Sequence, residues 1–117
     1  MSRATTSIRV FAVYLVILGA ALIVAPNAVL APFGVPPTSE VWVRVVGVLA
    51  TALGFYYSHA ARCGLVPFYR ATIVARTFVF VCFGAFVLLG FAPPALALFG
   101  TVDLAGALWT AAALRKG

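Results

Sequence analysis

The sequence EVWVRVVGVLATALGFYYS, residues 40–58, decides the fold of this chain. It is apolar over a length that can cross a bilayer, and its small and polar residues recur every three or four positions. That spacing places them on one face of an α-helix; the members of this small-residue stripe are Glu40, Arg44, Gly47, Thr51, Gly54 and Ser58. Because small residues let helix backbones approach closely in lipid, the stripe predicts a face that packs against other protein.

The composition extends this interpretation to the whole chain. Hydrophobic residues make up 65% of the 117 residues and charged residues 9%, whereas an ordinary soluble domain is about 45–50% apolar. A spanning helix needs about 20 mostly apolar residues, and four such spans occupy residues 7–25, 41–61, 67–91 and 95–114. We therefore predict an all-α integral membrane protein, a four-helix bundle that forms a single transmembrane domain over residues 1–117.

The basic residues at or near the ends of the spans flank one side of the bundle. They precede span one, surround the turn between spans two and three, and close the chain: Arg3, Arg9, Arg62, Arg70, Arg115 and Lys116. The positive-inside rule then places both termini and this turn in the cytoplasm. Residues 26–39 and the Pro93–Pro94 turn are expected on the outer side of the membrane, and residues 28–37 contain too many prolines and glycines to form a helix. The prediction is a multi-pass protein of the bacterial inner membrane, surrounded by membrane lipids.

Three further charged residues fall inside the apolar stretches of the spans, namely Arg44, Arg76 and Asp103. An ionisable group at membrane depth costs roughly 2.5–3.5 kcal/mol on insertion scales, so it normally faces the bundle interior and marks a functional site. At about 1.5 Å per residue, Arg76 and Asp103 lie at nearly the same depth. Arg44 is shallower, and its side chain can turn inward to Asp103 or outward to Glu40.

Two cations and one deep acid leave a surplus of positive charge, which predicts a site for an anionic or amphipathic small molecule. Arg44 and Arg76 would hold the ligand and Asp103 would orient them. The same helical faces carry the other predicted ligand-binding residues, which are Glu40, Thr51, Tyr69, Thr72 and Thr110. Two alternatives stay open: the charges pair only to fix the packing of the bundle, or Arg76 extends to the cytoplasmic headgroups and leaves an Arg44–Asp103 pair.

Other classes of function find little support in the sequence. No catalytic motif for acyl transfer, no Cys-x-x-Cys pair and no glycine-rich phosphate loop is present, so an enzyme is the less favoured interpretation. His59 is the only histidine, and no metal or other cofactor is expected. The basic residues are scattered among apolar runs, which disfavours nucleic acid as a partner.

The pattern of charges resembles the DoxX-like group of small bacterial four-helix membrane proteins. An arginine opens span two before small residues, Arg76 lies in span three, and Asp103 precedes Trp109 and a basic tail. The resemblance implies an accessory component of a respiratory or thiol-redox membrane complex. The chain lacks a Cys-x-x-Cys or a histidine pair, so any redox chemistry would belong to a partner.

The leading hypothesis is therefore a bundle that binds an amphipathic or anionic molecule, or a partner membrane subunit, through the Arg44, Arg76 and Asp103 site. One alternative is a transporter or channel protomer that works as a homo-oligomer, with the small-residue stripe lining the path. The other is a lipid- or sterol-modifying enzyme of emopamil-binding-like architecture.

Overall fold

The structure, a computed structural model, describes residues 2–115, and every regular element within them is helical. Four long helices follow one another, with a short helix and a 3₁₀ turn after the first. In chain order these are α1 (Arg3–Val24), α2 (Pro26–Leu30), the 3₁₀ turn (Ala31–Phe33), α3 (Val41–Cys63), α4 (Val66–Leu88) and α5 (Ala95–Arg115). The prediction of an all-α fold is confirmed for these residues.

The four long helices correspond to the four predicted spans. Each is long enough and apolar enough to cross a membrane by length and composition. Many of their large apolar side chains are exposed on the outside of the bundle, among them Ile17, Leu49, Phe55, Val74 and Phe78. Hydrocarbon, unlike water, accommodates such a surface at no cost.

The ends of the helices differ from the predicted boundaries for identifiable reasons. Helix α1 begins at Arg3, earlier than predicted, because the Ser2 side chain caps it by accepting a hydrogen bond from the Thr5 amide at 3.1 Å. Helix α4 ends at Leu88, and Gly90 follows it in the left-handed conformation at φ 78°. The Phe91 amide donates back to the Phe86 carbonyl at 2.8 Å, which closes the helix three residues before the predicted end.

The segment after α1 is more ordered than its prolines indicated. Residues 26–30 form α2 and residues 31–33 the 3₁₀ turn, since a proline is tolerated in the first turn of a helix. The Asn27 side chain then donates to the Thr38 carbonyl at 3.1 Å and accepts from the Thr38 amide at 2.9 Å. Glu40, expected in the first turn of α3, is its N-cap residue.

Buried hydrogen bonds bring the N-terminus, the α3–α4 turn and the C-terminal part of α5 to the same end of the bundle. The Thr5 and Tyr69 hydroxyls are 2.8 Å apart, and those of Ser7 and Thr110 are 2.7 Å apart. We call this the basic end, because Arg3, Arg9, Arg62, Arg70 and Arg115 all lie there. The segment between α1 and α3 and the Pro93–Pro94 turn lie at the other end, which we call the proline end.

The small-residue stripe packs against α1. A Cβ placed on Gly47 would lie 2.7 Å from the Gly19 carbonyl oxygen, and one placed on Gly54 would lie 2.5 Å from a Val16 methyl carbon. The backbones of α1 and α3 are therefore in direct contact. This confirms the predicted packing face at Gly47, Thr51 and Gly54.

Helices α3 and α4 do not pack against each other over most of their length, and we call this the missing α3–α4 seam. The long helices that pack against each other are α1 with α3, α1 with α5, and α4 with α5. Helices α3 and α4 are joined by a short turn, which normally makes two helices antiparallel neighbours, yet they are not among these pairs. They meet near the turn, where the Tyr57 and Phe68 rings are 5.4 Å apart. Toward the proline end they leave a side opening into the bundle.

Candidate functional site

Arg76 is a charged side chain enclosed by the bundle. Only 3% of its surface is exposed. Its Nε donates to the Thr72 carbonyl at 3.2 Å, and its Nη2 donates to the Thr72 hydroxyl at 2.9 Å and to the Thr110 hydroxyl at 3.0 Å. Thr72 lies four residues before Arg76 on α4, so a single helical turn supplies both the guanidinium and two of its three acceptors. One alternative expected the Arg76 side chain to extend to the headgroups at the end of the helix, but the side chain stays inside the bundle.

Aromatic rings complete the surroundings of this guanidinium. Its central carbon is 4.8 Å from the centre of the Phe11 ring and 5.8 Å from that of Tyr57. Both distances are within the range for an attraction between a cation and a ring. The remaining nitrogen, Nη1, is buried without a hydrogen-bond partner. It lies next to α5, since a Cβ on Gly106 would be 2.8 Å from it.

A cluster of hydroxyl groups connects Arg76 to the basic end. Thr110 accepts from Arg76 and is paired with Ser7, which also donates to the Ala4 carbonyl at 2.7 Å. Thr72 donates to the Tyr69 carbonyl at 2.7 Å. The structure thus brings together four predicted site residues, Arg76, Tyr69, Thr72 and Thr110. They form a buried hydrogen-bond network, in which Tyr69 and Thr110 have no exposed surface and Arg76 Nη1 is the nitrogen left without a partner.

Thr5 and Ser7 belong to this network and were not predicted. Each hydrogen bonds a hydroxyl on another helix, to Tyr69 and Thr110 respectively. Near a predicted helix end, such residues are usually solvated or act as caps. Their spacing could have identified them, because Thr5 and Ser7 lie among Ala4, Ile8 and Phe11 on the buried face of α1.

Asp103 lies near Arg76 but is not bonded to it. Residues 103, 106 and 110 share one face of α5, and Gly106 and Thr110 both adjoin Arg76. Asp103 is therefore about one turn closer to the proline end. No hydrogen bond joins it to Arg76, whose bonds go to Thr72 and Thr110. Asp103 is half-buried and lines a cleft.

That cleft, the Asp103 cleft, occupies the half of the bundle nearer the proline end. Its volume is about 320 Å³ and it is open to the outside. Helices α1, α3, α4 and α5 contribute to it, and Leu30 of α2 closes part of its rim. Its lining is apolar except for Tyr14 and Asp103: the other lining residues are Leu15, Leu18, Leu22, Leu30, Val43, Val46, Phe83, Leu96 and Phe99.

The other predicted site residues lie elsewhere. Arg44 is exposed and donates from Nη1 to the carbonyl of Ile23, so the expected pairing with Asp103 or Glu40 is wrong. Glu40 is exposed at the start of α3. Thr51 lies in the α1–α3 seam, where its hydroxyl donates to the Gly47 carbonyl at 2.9 Å. None of these three residues lines the Asp103 cleft.

These positions change the charge balance that the sequence indicated. Of the arginines in residues 2–115 only Arg76 is buried, and of the chain's two acids only Asp103 faces the interior. The interior thus contains one cation and one acid. The predicted surplus of two arginines over one acid is wrong, because Arg44 lies on the outside.

Comparison with protein-family models, with curated proteins and with solved structures found no match. The resemblance to DoxX-like proteins stays a prediction from the pattern of residues.

Proposed function

We propose that this chain is a multi-pass protein of the bacterial inner membrane that binds an amphipathic, lipid-like molecule in the Asp103 cleft. Both termini and the basic end face the cytoplasm in this proposal. The DoxX-like pattern favours a role as an accessory component of a membrane complex over that of a free-standing enzyme.

The observation that carries the proposal is the form of the cleft. Ligand sites are typically concave, about 300–1,000 Å³ in volume, and mostly apolar with a few polar groups that fix orientation. A volume of about 320 Å³ with two polar residues among apolar neighbours fits this description. The missing α3–α4 seam supplies a way in from the hydrocarbon, so the ligand need not pass through water.

The membrane orientation rests on charge. Five arginines of the described residues gather at the basic end, and the proline end carries Arg44 alone. The positive-inside rule places such an end in the cytoplasm.

Co-purification tests the binding proposal. The protein is extracted into lipid nanodiscs, and its bound molecules are identified by native mass spectrometry and by analysis of an organic extract. Leu18→Trp fills the cleft, whereas Ile17→Trp adds the same ring to the exposed side of α1. The wild type and Ile17→Trp should retain one small molecule per chain. Leu18→Trp should retain at least tenfold less of that molecule. Equal retention by all three proteins, or bulk lipid alone, would overturn the proposal.

A further inference from the structure

The polar groups of the Asp103 cleft are concentrated at one end. Tyr14 and Asp103 lie near the middle of α1 and α5, whereas Leu22, Leu30 and Leu96 line the cleft toward the proline end. A bound amphipathic molecule therefore places its polar group at mid-bundle and its apolar part toward the proline end or out through the α3–α4 opening.

The charges at mid-bundle restrict what that polar group can be. The Arg76 guanidinium stays protonated in proteins, and an ionised Asp103 is the acid available to balance it. An ammonium group on the ligand would bring a second cation into a region of low dielectric constant, and a carboxylate group would place an anion beside Asp103. Both additions are costly in such surroundings.

The hydrogen-bonding capacity of the two residues points to the same class. A carboxylate only accepts hydrogen bonds, whereas the Tyr14 hydroxyl both donates and accepts. A hydroxyl group on the ligand donates to Asp103 and accepts from Tyr14, so both of its functions are used. An ammonium group has no acceptor to offer Tyr14.

The volume limits the part of the molecule that is enclosed. At about 30 Å³ for a group the size of water, a cleft of about 320 Å³ encloses roughly ten such groups. A longer tail would extend through the side opening into the hydrocarbon.

From these observations we infer that the cleft selects a neutral lipophilic alcohol, whose hydroxyl group donates to the Asp103 carboxylate and accepts from Tyr14. The inference rests on the proposed function and adds the chemical class of the ligand. Arg76 does not contact the ligand in this inference. It influences which ligand binds because its positive charge favours the ionised form of Asp103.

Three probes of equal chain length test the class: dodecan-1-ol, dodecylammonium and dodecanoate. Their binding to the protein in nanodiscs is measured by native mass spectrometry, and binding to Leu18→Trp is subtracted as the cleft-independent part. The wild type should prefer dodecan-1-ol over each ionic probe by at least tenfold. Tyr14→Phe should lower the affinity for dodecan-1-ol several-fold. Tyr56→Phe, on the exposed side of α3, should leave that affinity unchanged.

Asp103→Asn provides the sharpest readout, because it removes the negative charge and leaves Arg76 uncompensated. The affinity for dodecan-1-ol should fall about tenfold, since a hydrogen bond to a charged acceptor is stronger than one to an amide. Dodecanoate should gain affinity and become the preferred probe. A merely structural role for Asp103 would lower all three affinities together.

The possible failures are distinguishable. If no probe binds the wild type better than it binds Leu18→Trp, the cleft is not a ligand site and the proposed function fails with the inference. If binding depends on the cleft but dodecylammonium or dodecanoate is preferred, or if Asp103→Asn leaves the order unchanged, the inference alone is overturned.

Discussion

Arg76 holds a full positive charge inside the bundle through hydroxyl and carbonyl partners on its own helix and on α5. A buried charge is tolerated only when it is well hydrogen bonded. Two of its three nitrogens meet that condition in Thr72 and Thr110, and the rings of Phe11 and Tyr57 enclose the guanidinium. The stability of the basic end therefore depends on single hydroxyl groups.

Thr110→Val removes one of these hydroxyls at nearly constant volume. Arg76 Nη2 and Ser7 each lose a partner in a buried place. The free energy of unfolding should fall by about 1–3 kcal/mol, measured by reversible denaturation in mixed micelles. Thr101→Val is the matched control on α5, because Thr101 is exposed and bonds only the Ala97 carbonyl of its own helix. Its change should stay within about 0.5 kcal/mol, and equal losses for both variants would contradict the account.

The sequence was informative about the polar side of α4 and α5 and misleading about Arg44. Spacing placed Tyr69, Thr72 and Arg76 on one face, and the structure has them in one network. Arg44 belongs to the stripe by spacing, yet its long side chain reaches over the seam to the carbonyl of Ile23. Periodicity fixes where a Cα lies on a helix, but it does not fix where a flexible side chain ends.

At the scale of the helices, α1 is the central element. It has the most extensive packing with α3, it also packs against α5, and it contacts α4 through Thr5 and Phe11. The α1–α3 seam is the tightest, because Gly19, Gly47 and Thr51 bring the two backbones together. In lipid such close contact is the main source of attraction between helices.

Gly47→Ala tests this seam. The added Cβ would lie 2.7 Å from the Gly19 carbonyl oxygen and 3.0 Å from Ile23, so the helices must separate. We expect a loss of about 1–3 kcal/mol in the free energy of unfolding and a lower midpoint of thermal unfolding in detergent. Gly84→Ala is the matched control, since a Cβ there meets nothing within 4 Å. A stability for Gly47→Ala equal to that of the control would show that the seam is looser than described.

The existence of four spans followed directly from hydropathy, and the packing of the stripe followed from its small residues. The open α3–α4 seam did not follow, because a pattern of faces does not specify which helix covers which. Beyond the small-residue stripe of α3 and the polar side of α4, both helices present large exposed apolar side chains, so the sequence does not identify which of these apolar sides is left open.

For the whole molecule, the two ends differ in charge and therefore in their expected side of the membrane. Cys63 is exposed at the basic end. In spheroplasts of a Cys82→Ser variant, Cys63 should resist a membrane-impermeant maleimide until the membrane is permeabilised. Ser39→Cys, with Cys63 and Cys82 also replaced by serine, is the control at the proline end and should react in intact spheroplasts. The reverse pattern would place the basic end outside.

The central claim is that a lipophilic molecule occupies the Asp103 cleft, and cross-linking tests it most directly. A long-chain alcohol with a photoreactive diazirine in its tail is incorporated into nanodiscs with the wild-type protein, activated by light, and located by peptide mass spectrometry. The account predicts that cross-links concentrate on cleft residues such as Leu18, Leu22, Phe83 and Phe99, and that excess dodecan-1-ol abolishes them. Cross-links spread over outward-facing residues such as Val13, Ile17 and Val74, unaffected by the competitor, would contradict it.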